Sequence, residues 1–318
     1  ATLNVSGNAT ISGVLTYEDV TNVDSVGVVT ARGLNIIGNT TGLRATGVST
    51  FTSDVTVNSV AVGKGANSVA TNTVLGVNAL DAAVTGTNNT AVGNQALTLN
   101  TSGTENTSVG SETLEANTTG QRNTAVGYRA LEDNVTGNYN TAVGAYALPE
   151  NTTGDHNTAL GRNALRYNTT ADQNTAVGAL ALDGTTTGGN NVAVGYYALK
   201  ANTTGTGNVA VGVNALDANT TENYGTGVGF NVLTANTSGT NPTAVGAYAL
   251  NANTTGDYNT ACGYSALELN TTGAQNTAVG YKSLEANTTA SNNTAVGHFA
   301  LNANTTGTQN TAVGRDAG

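Results

Sequence analysis

Apolar residues recur in one short pattern along most of the chain. A Val or Leu (once Cys) followed by Gly returns every 17 residues from Gly76 to Gly314, and a Leu comes four residues after each of these glycines from Leu80 to Leu301. The unit reads N-T-A-V-G-x-x-A-L-x-A-N-T-T-G-x-x, with positions numbered 1 to 17, and fourteen units follow one another without an insertion. A gapless period requires every unit to occupy the same slot against its neighbours. Seventeen residues are too few for a helix pair or a propeller blade, whose repeats run to about 33–50 residues. One coil of a parallel β-solenoid fits. Stacked at the parallel-strand spacing of about 4.8 Å, fourteen coils make a rod on the order of 65–70 Å long.

Alternation predicts two strands per coil. In T-A-V-G the Val at position 4 points one way, and Ala at 3 and Gly at 5 the other; in A-L-x-A-N, Leu at 9 and Ala at 11 share a face. Val and Leu are assigned to the interior, so Val126 and Val143, and Leu131 and Leu148, would stack as two apolar ladders. N-T-T-G predicts a corner, because Asn and Gly tolerate positive φ and Thr hydroxyls bond nearby backbone. There Asn117, Asn134 and Asn151 would stack as an amide ladder. The N-T-T triplets have the form of glycosylation acceptors, but a repeated structural corner accounts for them without sugar. One Val and one Leu per coil make a thin core. The other face of the first strand (Ala125 with Gly127, Ala142 with Gly144, Ala193 with Gly195) carries no polar side chain. That flat strip is expected to be a close-packed contact between chains, which predicts a homo-oligomer with its axis along the rod.

Composition agrees with the class. Of 318 residues, 58 are Thr, 45 Asn and 41 Gly, only 9% are charged and 5% aromatic, and Met and Trp are missing. Thr and Val favour strands and Gly and Asn favour turns, so an all-α fold is excluded; disorder goes with charge, Pro and scarce β-branched residues, the reverse of this chain. The class is all-β. The net charge of −10 is spread without runs and gives no footprint for nucleic acid or an anionic membrane. No stretch of 18 apolar residues occurs. The chain opens on Ala1-Thr2-Leu3-Asn4 without a signal-like segment, as expected of a processed product or an interior piece. A single Cys excludes an internal disulfide framework.

Catalysis needs a few unlike groups converging at one place, and here nearly every group recurs in every unit. No catalytic, cofactor-binding or metal-binding residue is predicted, and no enzyme. His156 at position 17 and His298 at position 6 read as solvent-facing variation; Cys262 holds the slot of Val245 and Val279 and is expected to be a buried, unreactive Val substitute. Asp and Glu, scattered over positions 10, 15, 16 and 17, do not reproduce a calcium repeat, and the repeated glycines lack the G-K-[ST] of a phosphate loop. Ice binding is disfavoured because Thr118 and Thr119 are adjacent and face opposite ways if extended. Positions 6 and 7 carry Tyr128, Tyr146, Tyr196, Tyr197, Phe230, Tyr248, Tyr264, Tyr281 and Phe299. These rings are expected to shield ladder edges; stacking on sugars is the competing reading.

Two resemblances add to this. Asn58-Ser59-Val60-Ala61-Val62-Gly63-Lys64-Gly65-Ala66-Asn67-Ser68-Val69-Ala70, with Asn-Val-Ala-Val-Gly at 191–195 and 208–212, resembles the N-S-V-A-x-G head repeat of trimeric autotransporter adhesins. That resemblance implies a left-handed parallel β-roll, three chains about one axis, and adhesion; the period of 17 is longer than in those heads, the extra residues falling in the N-T-T-G corner. The stretch Gly13-Val14-Leu15-Thr16-Tyr17-Glu18-Asp19-Val20-Thr21-Asn22-Val23-Asp24-Ser25-Val26-Gly27-Val28-Val29-Thr30-Ala31-Arg32 is similar to a segment of fibre-like virion proteins of marine cyanophages. Residues 1–57, which alternate as strands of another kind (Leu3, Val5, Ala9, Ile11), are expected to form an N-terminal β-rich fibre segment, and 58–318 the β-roll. Together these imply a phage tail-fibre segment: a homotrimer joined to other virion proteins at its ends, spacing or presenting elements that recognise a host glycan or receptor. A bacterial surface adhesin is the alternative.

Overall fold

A computed structural model of the chain describes residues 55–57, 60–82 and 84–318. The expectations for residues 1–54 lie outside them. Strand β1 (Val55–Val57) pairs antiparallel with β2 (Val60–Gly63), and β2 antiparallel with β3 (Thr73–Gly76). The stretch Val60–Ala70 therefore precedes the first parallel coil as an antiparallel start: the strand Val60–Gly63 and then a single 3-10 turn at Ala66–Ser68. From β3 to β17 (Thr311–Val313) each strand pairs parallel with the next, always 17 residues on, as where Thr124, Ala125 and Val126 meet Thr141, Ala142 and Val143. The described residues contain no α-helix. The fold is an all-β parallel solenoid of about fourteen coils.

The interior differs from the expectation in an instructive way. Ala125, Ala142 and Ala193 at position 3 are fully buried, as are Leu131 and Leu148 at position 9 and Ala130 and Ala147 at position 8. Position 4 turns outward: Val245 is 41% and Leu160 46% exposed. The Val ladder thus lies outside the roll and the Ala ladder inside. The reason is that the second strand does not form. Positions 6 to 11 are turns, and Leu at position 9 takes a left-handed backbone, with φ 52° at both Leu131 and Leu148. Folded so tightly, the commonest coil encloses one Leu and two alanine methyls, with Val74 at position 3 and Val232 at position 8 as buried exceptions. A left-handed Leu costs about 1–2 kcal/mol. Complete burial of its side chain, worth about 1.5–3 kcal/mol, offsets this.

The turn keeps its backbone bonded along the rod. In the coil that carries β9 (Thr175–Val177), the N–H groups of Gly178, Leu180 and Asn190 donate back to Leu160, Arg162 and Asp172, at 2.8, 3.0 and 3.0 Å. Those of Leu182, Gly184 and Thr186 donate forward to Ala198, Lys200 and Thr203, at 3.0, 2.8 and 3.0 Å. The position-5 glycine is what allows this approach. Gly178 has φ +137°, and a Cβ there would lie 2.5 Å from the carbonyl oxygen of Gly195. The Ala and Gly strip is therefore a close approach within the chain, not the contact between chains that its flatness suggested.

Two ladders of buried Asn close each coil. At position 12, Asn134 donates its amide to Oδ1 of Asn117 (2.9 Å) and to the carbonyl of Gly137 (3.0 Å), and Asn151 repeats both bonds to Asn134 and Gly154. The expected corner ladder is present. At position 1, the backbone N–H of Asn123 donates to Oδ1 of Asn106 (3.0 Å), and the Asn123 amide donates to Gly137 (2.8 Å). The departures from these columns are physically matched. Where position 1 becomes Gly225, its N–H still donates to Oδ1 of Asn208 (2.8 Å), and the next residue in the column is Pro242. Gly225 offers no Oδ1 and Pro242 has no N–H to use one, so the missing acceptor and the missing donor coincide. In the coil of Gly227 and Val232, position 3 loses a methyl while position 8 gains bulk, and a Cβ on Gly227 would lie 3.2 Å from Cγ1 of Val232. In the coil of Ser108 and Thr113 both positions become polar, and the buried hydroxyls bond each other and the carbonyl of Gly110.

Volume exchange between positions 3 and 8 is checkable by a double-mutant cycle. Gly227→Ala and Val232→Ala should each destabilise, the first by crowding and the second by a cavity, while the pair, which restores the commonest coil, should be near wild type, with a coupling of about 1–3 kcal/mol in chemical denaturation. The corner ladder is faulty at Thr185, which stands at position 12 and leaves Oδ1 of Asn168 buried without a donor. Thr185→Asn should stabilise by about 1 kcal/mol, and amide hydrogen exchange should show it as added protection in the coils on either side.

Candidate functional site

Side chains that vary between coils lie on the outer surface in columns, so chemistry arises where neighbouring coils place unlike groups side by side. His156 stacks on Tyr139 of the preceding coil at 4.9 Å, and Arg122, one coil further back, hydrogen-bonds the Tyr139 hydroxyl and pairs with Glu105 at 2.9 Å. His298 ends a different stack. Phe230, Tyr248, Tyr264 and Tyr281 run up the rod edge to face or face to face, with Tyr264 and Tyr281 5.5 Å apart and 12° from parallel, and Tyr281 and His298 5.1 Å apart and 15° from parallel. The rings contact one another along the column and still stand partly open, Phe230 and Tyr264 each being 46% exposed.

Cys262 is exposed, a direct consequence of position 4 facing outward, and the expectation of a buried thiol is corrected. The threonine rows also fall differently from their sequence reading. The Thr118 hydroxyl is committed to the carbonyl of Val135 at 3.1 Å, and the outward sheet face pairs a Thr row at position 2 with the Val row at position 4. It does not present two rows of Thr.

Sequence spacing missed one cluster. Glu112, Glu115 and Glu132 come together from positions 7 and 10 of adjacent coils, close enough to share an ion. Their neighbours already partner them: Nε of Arg129 lies 2.6 Å from Glu112 and 3.6 Å from Glu132, and Gln95 donates to Glu115 at 2.9 Å. The signal that finds such groups is the column, since residues 17 or 20 apart are neighbours across coils. Burial raises the pKa of Glu132, and Arg129 acts against that.

Compared with known proteins, the chain matches no family model, no curated protein and no solved structure. Among the described residues no helix is long and apolar enough to cross a membrane.

Position 10 shows how one residue type fits a slot and another does not. The Thr98 hydroxyl donates to the carbonyl of Asn78 at 3.0 Å, Asn251 to that of Asn231 at 2.8 Å, and Asn302 to that of Lys282 at 3.0 Å, each twenty residues back. A carboxylate cannot donate. Asp183 and Asp217 hold the same position, each with a buried Oδ1 lacking a partner, and burial raises the pKa of both despite nearby Lys200. Because the folded pKa lies above the unfolded one, stability is present at low pH and is lost as pH rises through the raised value. Asp183→Asn should therefore be more stable than wild type at pH 7 by about 1 kcal/mol, its side-chain amide donating a hydrogen bond to the carbonyl of Asn163. The gap should close in urea titrations as pH falls and Asp183 itself becomes a donor.

Proposed function

We propose that the chain is a shaft segment of an extracellular phage tail fibre, a non-enzymatic homotrimer in which three left-handed rolls pack about a common axis. One observation carries the reading: an uncharged strip of Thr or Val at position 2 and of Val, Leu or Cys at position 4 faces outward at every coil. The position-4 row, an apolar line on the order of 60 Å long, is what a monomer's solvent face avoids, because solvent-facing sheet positions are normally polar. Its repeat, one coil per strand spacing, is matched along its whole length by a second copy of itself running parallel. The three-chain count and the hand are what the resemblance of Asn58–Ala70, with Asn191–Gly195 and Asn208–Gly212, to trimeric adhesin heads implies. The particle follows from the resemblance of Gly13–Arg32 to cyanophage fibre proteins.

The mechanism is mechanical. Backbone hydrogen bonds between coils run along the rod and share an axial load in parallel rows. The outward columns at positions 6, 7, 10 and 17 supply the variable surface a host meets. The same strip suits a bacterial trimeric adhesin. A membrane-anchor barrel downstream in the gene would favour that reading, and adjoining virion genes would favour the fibre.

Light scattering should give three chain masses, and a folded monomer would refute the proposal. Val245→Lys, Val279→Lys and Val296→Lys together should release monomers with an unchanged β-type circular dichroism spectrum. Mild oxidation should join Cys262 of neighbouring copies into a covalent dimer in the wild type and not in this variant.

A further inference from the structure

Arginine is scarce here, and its distribution is uneven. Three of the chain's seven arginines, Arg129, Arg162 and Arg166, line one shallow pocket of about 480 Å³ with Tyr146 and Asn163. The five residues come from three successive coils, at positions 6, 7 and 10. No carboxylate lines the pocket.

The three guanidinium groups are not equally committed. Arg129 is held by Glu112 and Glu132 at 2.6 and 3.6 Å. The guanidinium groups of Arg162 and Arg166 make no ion pair or hydrogen bond within the described residues; Arg166 lies over the Tyr167 ring at 4.8 Å, and Glu150 and Asp183 feel its charge without closing on it. A guanidinium presents five donors in a planar fork that matches the paired oxygens of a carboxylate or sulfate. Tyr146 meets Tyr128 edge to face at 5.3 Å, which fixes its ring, and Asn163 adds an amide able to donate and accept. Pockets of about 300–1,000 Å³ hold small ligands, and aromatic rings beside polar forks bind groups with an apolar face and a charged edge.

We propose that this pocket binds an acidic saccharide, with Arg162 and Arg166 clasping its carboxylate or sulfate, Tyr146 against the sugar ring and Asn163 on a hydroxyl. The site stands apart from the fibre reading, since it is complete within one chain. Net charge makes the claim discriminating: a chain of −10 repels polyanions except where local charge reverses the sign.

The test is calorimetric titration of the full chain, in whatever assembly it forms, with a heparin-derived tetrasaccharide, a galacturonate tetramer, neutral cellotetraose and inorganic sulfate. Either acidic tetrasaccharide should bind, and more strongly than cellotetraose or sulfate. R162A/R166A should weaken it at least tenfold, and R162Q/R166Q, which keeps the side-chain bulk, should do the same. R122A, which removes a guanidinium outside the pocket, should stay within twofold of wild type. Failure of both acidic probes, equal binding of cellotetraose or of sulfate alone, or affinity unchanged in R162A/R166A would overturn the proposal.

Discussion

Every coil of this protein completes its backbone hydrogen bonding only through the coils above and below, and the other features follow from that requirement. Positions 5, 7 and 17 donate in one direction along the rod and positions 9, 11 and 13 in the other. A coil one residue longer or shorter would misalign both sets, which is why the period of 17 tolerates no insertion over fourteen steps. Glycine at position 5 and left-handed Leu at position 9 are consequences: the turn must aim N–H and C=O groups along the axis, and the side chains adapt. A core of one Leu and two Ala per coil suffices because stability in a solenoid is largely a sum over interfaces between neighbours. Most interfaces here also carry rungs of the two amide ladders.

The period, the coil, the Leu row and the corner Asn ladder were legible in the sequence, because each rests on spacing alone. The orientation of the strand was not. T-A-V-G carries apolar side chains on both faces, so alternation gives two sets without saying which is inside, and the larger residue is the natural but wrong choice. What decides it is the conformation of the following turn. Leu131 and its equivalents adopt a backbone that their intrinsic preference opposes, and no local signal announces it. The inversion reaches function: the small strip is a contact between coils, and the Val row is the outward one. Cys262 moved with it.

The outer columns were legible only once the sequence is written as stacked rows of 17. In that form Glu112 lies beside Arg129, Tyr264 beside Tyr281, and Arg129, Tyr146 and Asn163 follow one another. Read along the chain, the same residues are isolated variations at non-essential positions. A solenoid converts sequence distance into a second dimension, and its surface chemistry is two-dimensional for that reason.

The pairing of Gly225 with Pro242 bears on how the rod assembles. Coils this alike can stack on the wrong neighbour, since a chain that loops out one unit still meets a surface of the correct shape. If the coil of Gly225 were skipped, Pro242 would sit on Asn208, whose Oδ1 would then lose the N–H it receives from Gly225. The irregular column entry acts as an address. A fibre made of perfect repeats would fold to many registers of nearly equal energy, and sparse matched defects of this kind single out one.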